Sequence, residues 1–561
     1  MCAVPLRQQP IGLCLNVARV GTLLMILSAT GMSPEAAKSK LVLEQATQAL
    51  QAGDSSDAER LLRNHLLEQP QDAAALAKLA ELVIDQGHAE QATVLLRRAA
   101  NADPSPERQM ALVKHLQHYG GAEIAIREIE ALPPNVRSSF DTLVSEAALR
   151  GVMGEHDRQI AIYSELARLN PGHVVLWKTL GDAFKTVGRT DDAVAALRHA
   201  TQALPTYGEG YWTLSNFKSF RFTDRDISAM KKALRGKLSD YDALHFHFAL
   251  GKAYEDRKDH ARSFEHYDAG NRIRRKGLRP EAMRTTAYVD RLMAVYTPEL
   301  FKRHEDAGSQ AKDPIFVLGL HRSGSTLIEQ ILASHPLIEG TTEITIMQQI
   351  WDRLGRIAAP SGRNAFDELV RLDSAAFKAI GEEYLERTSA FRTTSRPYFV
   401  DKLPANWLNL GLIRLALPNA KIIDARRHPM ACGFSNFKQN YASGMIFSYS
   451  QESIGHFYRD YMRFMHHIDR VQPGAIHRVV NERLIEDPEG QTRALIDFLG
   501  LPFDPACLEP HKNKRAVQTP SAEQVRRPIN REGVDSWRPY EPWLGPLKQT
   551  LGDALENWDK P

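Results

Sequence analysis

The sequence predicts a multidomain chain: an N-terminal all-α solenoid of helix hairpins, then an α/β domain with a phosphate-loop-like turn and a central parallel sheet. Three observations point there. The first half repeats itself at a spacing of 34 residues, the signature of stacked helical units. The second half holds two short apolar runs, "IFVL" and "AKIIDA", each leading into a turn that carries arginine, glycine and serine. A length of 561 residues exceeds what one hydrophobic core usually spans, so two or three domains are expected. The expected divisions are a tail over 1–36, the repeats over 37–295, a junction over 296–312 and the α/β domain over 313–561.

Composition narrows the function class. Apolar residues make up 43% and charged residues 25%, as in an ordinary globular protein. The 71 basic and 68 acidic residues leave a net charge of +3. That balance gives no argument for nucleic acid or a membrane surface as partner, while leaving room for a local anion pocket. Cys2, Cys14, Cys432 and Cys507 form no CxxC pair and no zinc spacing, which argues against a disulfide framework or a structural metal. His456, His466, His467 and His511 likewise lack a metal-ligand pattern. The stretch "VGTLLMILSATG", Val20 to Gly31, is too short and interrupted for a membrane span. It reads as a frayed tail or a weak signal-like segment, and a cytoplasmic protein is expected.

The repeats come first in the chain. Gly53 and Gly87, Ala58 and Ala92, and Pro70 and Pro104 each stand 34 residues apart, as do Gly154 and Gly188, and Pro171 and Pro205. The fullest unit, "VLWKTLGDAFKTVGRTDDAVAALRHATQALP", places Trp177, Leu180, Gly181, Phe184, Gly188, Ala193, Leu197, Ala200 and Pro205 in a string that resembles the tetratricopeptide repeat. Small residues let two helices cross closely, large ones fill the gap, and each hairpin buries its apolar face only against its neighbours. Gly120 to Val136 breaks the register and reads as a shortened repeat. Most of these positions are scaffold; a concave face for a peptide or partner subunit is the functional expectation. The basic run "NRIRRKGLRPEAMRTT", Asn271 to Thr286, reads as a solvated helix face or the rim of an anion cleft.

Next comes "DPIFVLGLHRSGSTLIEQILASHP", Asp313 to Pro336. Ile315 to Leu318 is a buried strand by pattern, Gly319 to Ser325 the loop, and Thr326 to Ser334 the following helix. Gly319 and Gly324 keep the spacing of the GxxxxGK[ST] phosphate loop, but Ser325 stands where its lysine belongs. A nucleoside-triphosphatase needs that lysine. What remains is Arg322, Ser323, Gly324, Ser325, Thr326, Leu327 and a helix N-terminus, a set suited to cradling a terminal phosphate.

A second unit spans Tyr398 to Tyr441. Tyr398 to Val400 reads as an edge-like strand, Asn406 to Leu417 as a helix, and "AKIIDARR" as a strand ending at Arg426 and Arg427. Ligands in parallel sheets sit at such strand ends. Arg427 and Ser435, eight residues apart, can bracket a second phosphate, or the arginines can pair with surface carboxylates.

Together these stretches resemble the sulfotransferases that use 3'-phosphoadenosine 5'-phosphosulfate (PAPS), most nearly bacterial proteins that join tetratricopeptide repeats to such a domain, and more distantly the tyrosylprotein sulfotransferases. "GLHRSGSTL" resembles the 5'-phosphosulfate loop and "RHPMACGFS" the 3'-phosphate segment. "NERLIEDPEGQTRALIDFLGLPFDP" resembles the segment that follows, and "TPSAEQVRRPIN" the C-terminal loop over the cofactor. The resemblance implies PAPS as donor and in-line transfer without a metal. It also assigns residues: Lys402 and Arg322 stabilise the leaving phosphate, Glu343 serves as general base, and Arg427, Ser435, Asn481, Arg526 and Arg527 join the loop residues in binding. Lys402 thereby supplies the cation missing from the first loop. Glu339 is a less well matched rival base, and Ser521 or Thr519 either adds a hydrogen bond or merely caps a helix.

Several positions depart from the family. His321 replaces a proline, which should cost loop rigidity; His428 replaces an acidic residue or asparagine; Asn481 stands where tyrosine is frequent. Thr345 replaces an arginine of the tyrosylprotein group, which weakens the case for tyrosine in an acidic peptide. The expected acceptor is a protein, a peptide or a small hydroxyl-bearing molecule, and a homodimer is admitted. The competing expectation is an interaction protein whose α/β domain binds nucleotide without catalysis; a P-loop kinase would need the absent lysine.

Overall fold

The computed structural model describes residues 33–86, 88–217, 219–279, 285–441, 444–513, 515 and 522–560. The signal-like stretch at 20–31, Thr519 and Ser521 lie outside them. The chain divides into two compact units at 162/163, within the repeats.

The first unit is all helix. Pro34–Gln51 and Ser55–Glu68 form one hairpin, and Ala73–Asp85 pairs with Ala89–Ala102 in the next. Ala58, Ala75, Ala80 and Ala92 are wholly buried beside Leu62 and Leu76, so small residues set the helix approach and leucines fill the space. The register break has a local cause: the π-helix Leu116–Gly120 widens the turn before the short helix Ala122–Ala131.

The second unit opens with the hairpin Val174–Thr186 and Thr190–Ala203. A later pair, α1 (Asp240–Asp256) and α2 (His260–Arg274), follows. The strands are β1 (Pro314–Gly319), β2 (Ile338–Gly340), β3 (Tyr398–Lys402), β4 (Lys421–Arg426) and β5 (Ile476–Val480). They pair in parallel in the order β2-β3-β1-β4-β5. Tyr398–Val400 is therefore interior, not edge-like: β2, a three-residue strand too short to stand out by pattern, covers its outer side. Asn406–Leu417 is likewise not one helix but a 3-10 turn, Pro404–Asn409, running into the helix Leu410–Ala416.

Helix α3 (Ser325–Ala333) follows β1, α4 (Pro429–Phe437) follows β4, and α5 (Gln451–Val471) backs the sheet with Phe457, Tyr458, Tyr461 and Phe464 buried. Tyr296, Phe301 and Ala307 share one hydrophobic cluster with Phe248 and Tyr267 of the later helices and with Trp407 and Phe434 beside the sheet. The C-terminal aromatics pin this arrangement. The Tyr540 hydroxyl lies 2.9 Å from Ser263 Oγ, and the Trp537 ring stacks on His428 at 5.5 Å.

Candidate active site

Parallel pairing brings the C-terminal ends of β1, β3 and β4 to one edge. Val317 stands opposite Lys402, and Gly319 opposite Ala425. At Gly319, φ is +138° and an added Cβ would lie 2.4 Å from the Ala425 carbonyl oxygen, so only glycine permits this exit from β1. Arg322 adopts φ +68°, a left-handed conformation that a non-glycine residue holds only when its surroundings enforce it. They do: its Nε donates to Ser435 Oγ at 3.1 Å, and its carbonyl accepts from Arg427 Nη1 at 3.0 Å. The preceding His321 carbonyl accepts from Asn436 Nδ2 at 2.8 Å and from the Cys432 thiol at 3.4 Å. Helix α4 thus grips the loop at His321, where loss of rigidity was expected. Gly324, at φ +100°, caps α3, and the first-turn N–H groups of that helix point outward from it.

A cleft of about 710 Å³ opens here. Arg322, Gly324, Ser325, Thr326, Leu327, Arg427, Ser435, Asn481 and Arg527 all line it. Arg427 is half-buried, with its Nε enclosed. Burial lowers its guanidinium pKa from the ordinary value. Its hydrogen bonds run to the carbonyl oxygens of Arg322 and Gly533, and it makes no ion pair among the described residues. Ser323 Oγ and Arg427 Nε are buried polar atoms without a hydrogen-bond partner among the described residues. Arg527, half-exposed, pairs with Glu532 at 3.0 Å. Arg526 is turned away: Nη2 donates to the Thr186 carbonyl at 3.0 Å, and the guanidinium packs on Gly188. The two side chains leave the end of the short helix Ala522–Val525 in different directions, so only Arg527 reaches the cleft.

Lys402 closes β3 with its side chain 2% exposed, against the Glu343 carboxylate and 3.7 Å from Glu329. The Glu343 side chain is 45% exposed. The residue expected as base and the residue expected as leaving-group cation therefore meet. Glu339 is occupied elsewhere. It is buried and accepts from the Thr394 amide at 2.9 Å and Thr393 Oγ1 at 3.0 Å, which organises the turn before β3. Glu482 accepts the His428 amide at 3.1 Å, and burial pushes its carboxyl up.

Three features of this site escaped sequence reasoning. Glu329 is buried on α3, and its signal was a Glu-Gln pair inside the apolar run "TLIEQILA". Lys438 and the repeat residues Arg221 and Lys252 also line the cleft; repeat periodicity carries no sign of that. Asp401, wholly buried beside Lys402, has its carboxyl pushed up to about 7.

Comparison with known proteins adds the family. Residues 314–505 match the model of the sulfotransferase family, and residues 49–115 that of the tetratricopeptide repeat. An uncharacterized protein of Aquifex aeolicus (strain VF5) is 30% identical over 398 residues, which are 70% of this chain and 52% of that protein. The chain thus spans about half the length of that relative. Protein-tyrosine sulfotransferase 1 of Danio rerio is 25% identical over 247 residues, 40% of this chain and 65% of that one. The solved sulfotransferase domain of the Synechococcus PCC 7002 olefin synthase is 24% identical, with 41% of this chain and 89% of that chain covered at a TM-score of 0.31. One region of the chain is thus similar to tetratricopeptide repeats and a later one to the sulfotransferase family.

Proposed function

We propose that this chain transfers a sulfuryl group from PAPS to an acceptor hydroxyl. The observation that carries the reading is Arg427: a half-buried guanidinium with an enclosed, unpartnered Nε and no ion pair among the described residues, beside Ser435 and the loop at 322–327. A partly desolvated cation in that state is stabilised by an anion. The orphaned Ser323 Oγ and Arg427 Nε suit a phosphorylated nucleotide, since both would gain acceptors. Ser323, Gly324, Ser325, Thr326 and Leu327 with Arg322 would hold the 5'-phosphosulfate end. Arg427, Ser435, Asn481 and Arg527 would hold the 3'-phosphate end. When bound, PAPS supplies a sulfuryl group on a good leaving oxygen.

The chain's own groups then have defined work. Glu343 accepts the hydroxyl proton as the acceptor oxygen bonds to sulfur, a contribution of about 10²–10⁴-fold for a positioned base. Lys402, Arg322 and the N-terminus of α3 stabilise the charge left on the 5'-phosphate as the old S–O bond breaks. Glu343 must release Lys402 to act. Its exposed carboxylate, with a single ion-pair partner among the described residues, allows that. A hydroxyl on a protein or peptide is the proposed acceptor, in keeping with the repeats and with the tyrosine-directed name of the Danio rerio relative.

The test pairs binding with transfer. Calorimetry should show adenosine 3',5'-bisphosphate binding in preference to ATP. Labelled PAPS offered to fractionated cell material should label acceptors with wild type but not with Lys402→Ala. Equal labelling by both proteins would refute the assignment of Lys402. Tight bisphosphate binding without Lys402-dependent transfer under any condition would instead leave a nucleotide-binding interaction protein.

A further inference from the structure

Lys402 has a second carboxylate, and it differs from the first in every respect that matters. Glu329 sits on α3 with its side chain 3% exposed. Its Oε1 forms an ion pair with Arg515 Nη2 at 2.6 Å, and its Oε2 lies 3.7 Å from Lys402 Nζ. Arg515 is itself immobilised. Its Nε donates to Gln330 on the same helix, and its Nη1 donates to the Thr341 carbonyl at 3.0 Å, two residues before Glu343. A carboxylate this deeply buried persists only when cations hold it, and here two do. Glu343, by contrast, is 45% exposed and touches Lys402 alone among the ion pairs of the described residues.

Other charged groups near Lys402 do not share this role. The Asp401 carboxyl faces the opposite side of β3, where it meets the Tyr384 hydroxyl at 2.7 Å and Asn406 Nδ2 at 3.4 Å. Burial pulls His321 down to about 4, so it is neutral near pH 7 and adds no charge.

We propose that Glu329, anchored by Arg515, is the positioning residue of Lys402, holding the ammonium in place when Glu343 leaves it to take the acceptor's proton. The inference rests on the reading of Lys402 and Glu343 given above. Its geometric content, that Glu329 and Arg515 fix Lys402, stands apart from the reaction. The exposed carboxylate is free to exchange partners, whereas the buried one is tied to a second cation and a rigid helix. An ammonium with only the exposed partner would be released at the moment it is needed.

Two measurements test it. The first needs no substrate: competitive reductive methylation of the intact protein, with each lysine followed by peptide mass spectrometry. Glu329→Gln should make Lys402 react several-fold faster than in wild type, with Arg515→Gln moving it the same way, while Lys421 and Lys438 stay unchanged. An unchanged Lys402 rate, or equal acceleration of all three lysines, would overturn the proposal. The second is turnover with labelled PAPS. Glu329→Gln should lower kcat by about 10–100-fold, the scale of a small misplacement of a reacting group, with the donor KM and adenosine 3',5'-bisphosphate affinity within about twofold of wild type. Glu329→Asp should restore part of the rate, and in a Lys402→Ala background Glu329→Gln should change nothing further. An additive loss in that background would show that Glu329 acts elsewhere. If wild type shows no Lys402-dependent transfer, the functional reading fails, and the labelling arm still decides whether Glu329 fixes Lys402.

Discussion

Asp401 allows a prediction whose size comes directly from the structure. The residue is wholly buried in β3, next to Lys402. Burial pushes its carboxyl up to about 7 from an ordinary 3.8, against the opposing pull of the Tyr384 hydroxyl and the Lys402 charge. Between pH 4 and 7 the folded chain keeps this proton while the unfolded chain has lost it. Stability from this group is therefore complete below about pH 4, falls as pH rises through that window, and is level above 7. The whole window corresponds to roughly 4 kcal/mol, and the part between pH 5 and 7 to roughly 2.5 kcal/mol. His321, pulled down to about 4 by burial, acts in the opposite direction: its contribution grows as pH rises toward 6.5. The slope of wild type alone therefore decides nothing, whereas its difference from Asp401→Asn does. The asparagine keeps the shape and the hydrogen-bonding capacity but cannot titrate. Urea unfolding at pH 5 and pH 7.5, followed by hydrogen exchange of peptides spanning β3, should show the variant gaining about 2.5 kcal/mol relative to wild type over that interval. Identical slopes for the two proteins would refute the argument and place the Asp401 carboxylate in its charged form throughout.

Three further outcomes follow from the cleft. Arg427→Ala should weaken adenosine 3',5'-bisphosphate binding by about 10–100-fold, the scale of a charge-assisted contact, and weaken adenosine 5'-monophosphate much less. Calorimetry on both ligands reads the difference. Ser323→Ala should leave thermal stability within about 0.5 kcal/mol, because the buried hydroxyl has no partner to lose among the described residues, yet reduce bisphosphate affinity about fivefold. Gly324→Ala combines a backbone at φ +100° with a Cβ 2.6 Å from Asn481 Oδ1; it should cost about 1–3 kcal/mol, seen as a lower Tm, and reduce nucleotide binding by disturbing the cap of α3.

Much of the site was legible because it is local. The run into Gly319, the two glycines and the hydroxyl-rich helix start define a loop through contacts between near neighbours. Arg427 and Ser435 sit at opposite ends of one short turn and helix, so their spacing alone brings them to one cleft. Other expectations failed for an equally physical reason. A strand's place in a sheet depends on its partners, and nothing in "YFVDK" records that the short segment Ile338–Gly340 covers it. Arg526 and Arg527 are adjacent in sequence, and their opposite destinations depend on where a four-residue helix ends.

The chain by itself determined the period of the repeats, the loop after β1 and the identity of the strand-end cations, because each is written in the order of residues along the chain. Tertiary structure alone decided that Lys402 meets Glu343 across 59 residues and that Arg427 reaches the Arg322 carbonyl across 105. It also placed Glu329 behind the lysine and packed the later repeats into the core of the sheet domain. Such contacts depend on strand order and register, where a shift of one residue sends every side chain to the other face, and no local pattern encodes that choice.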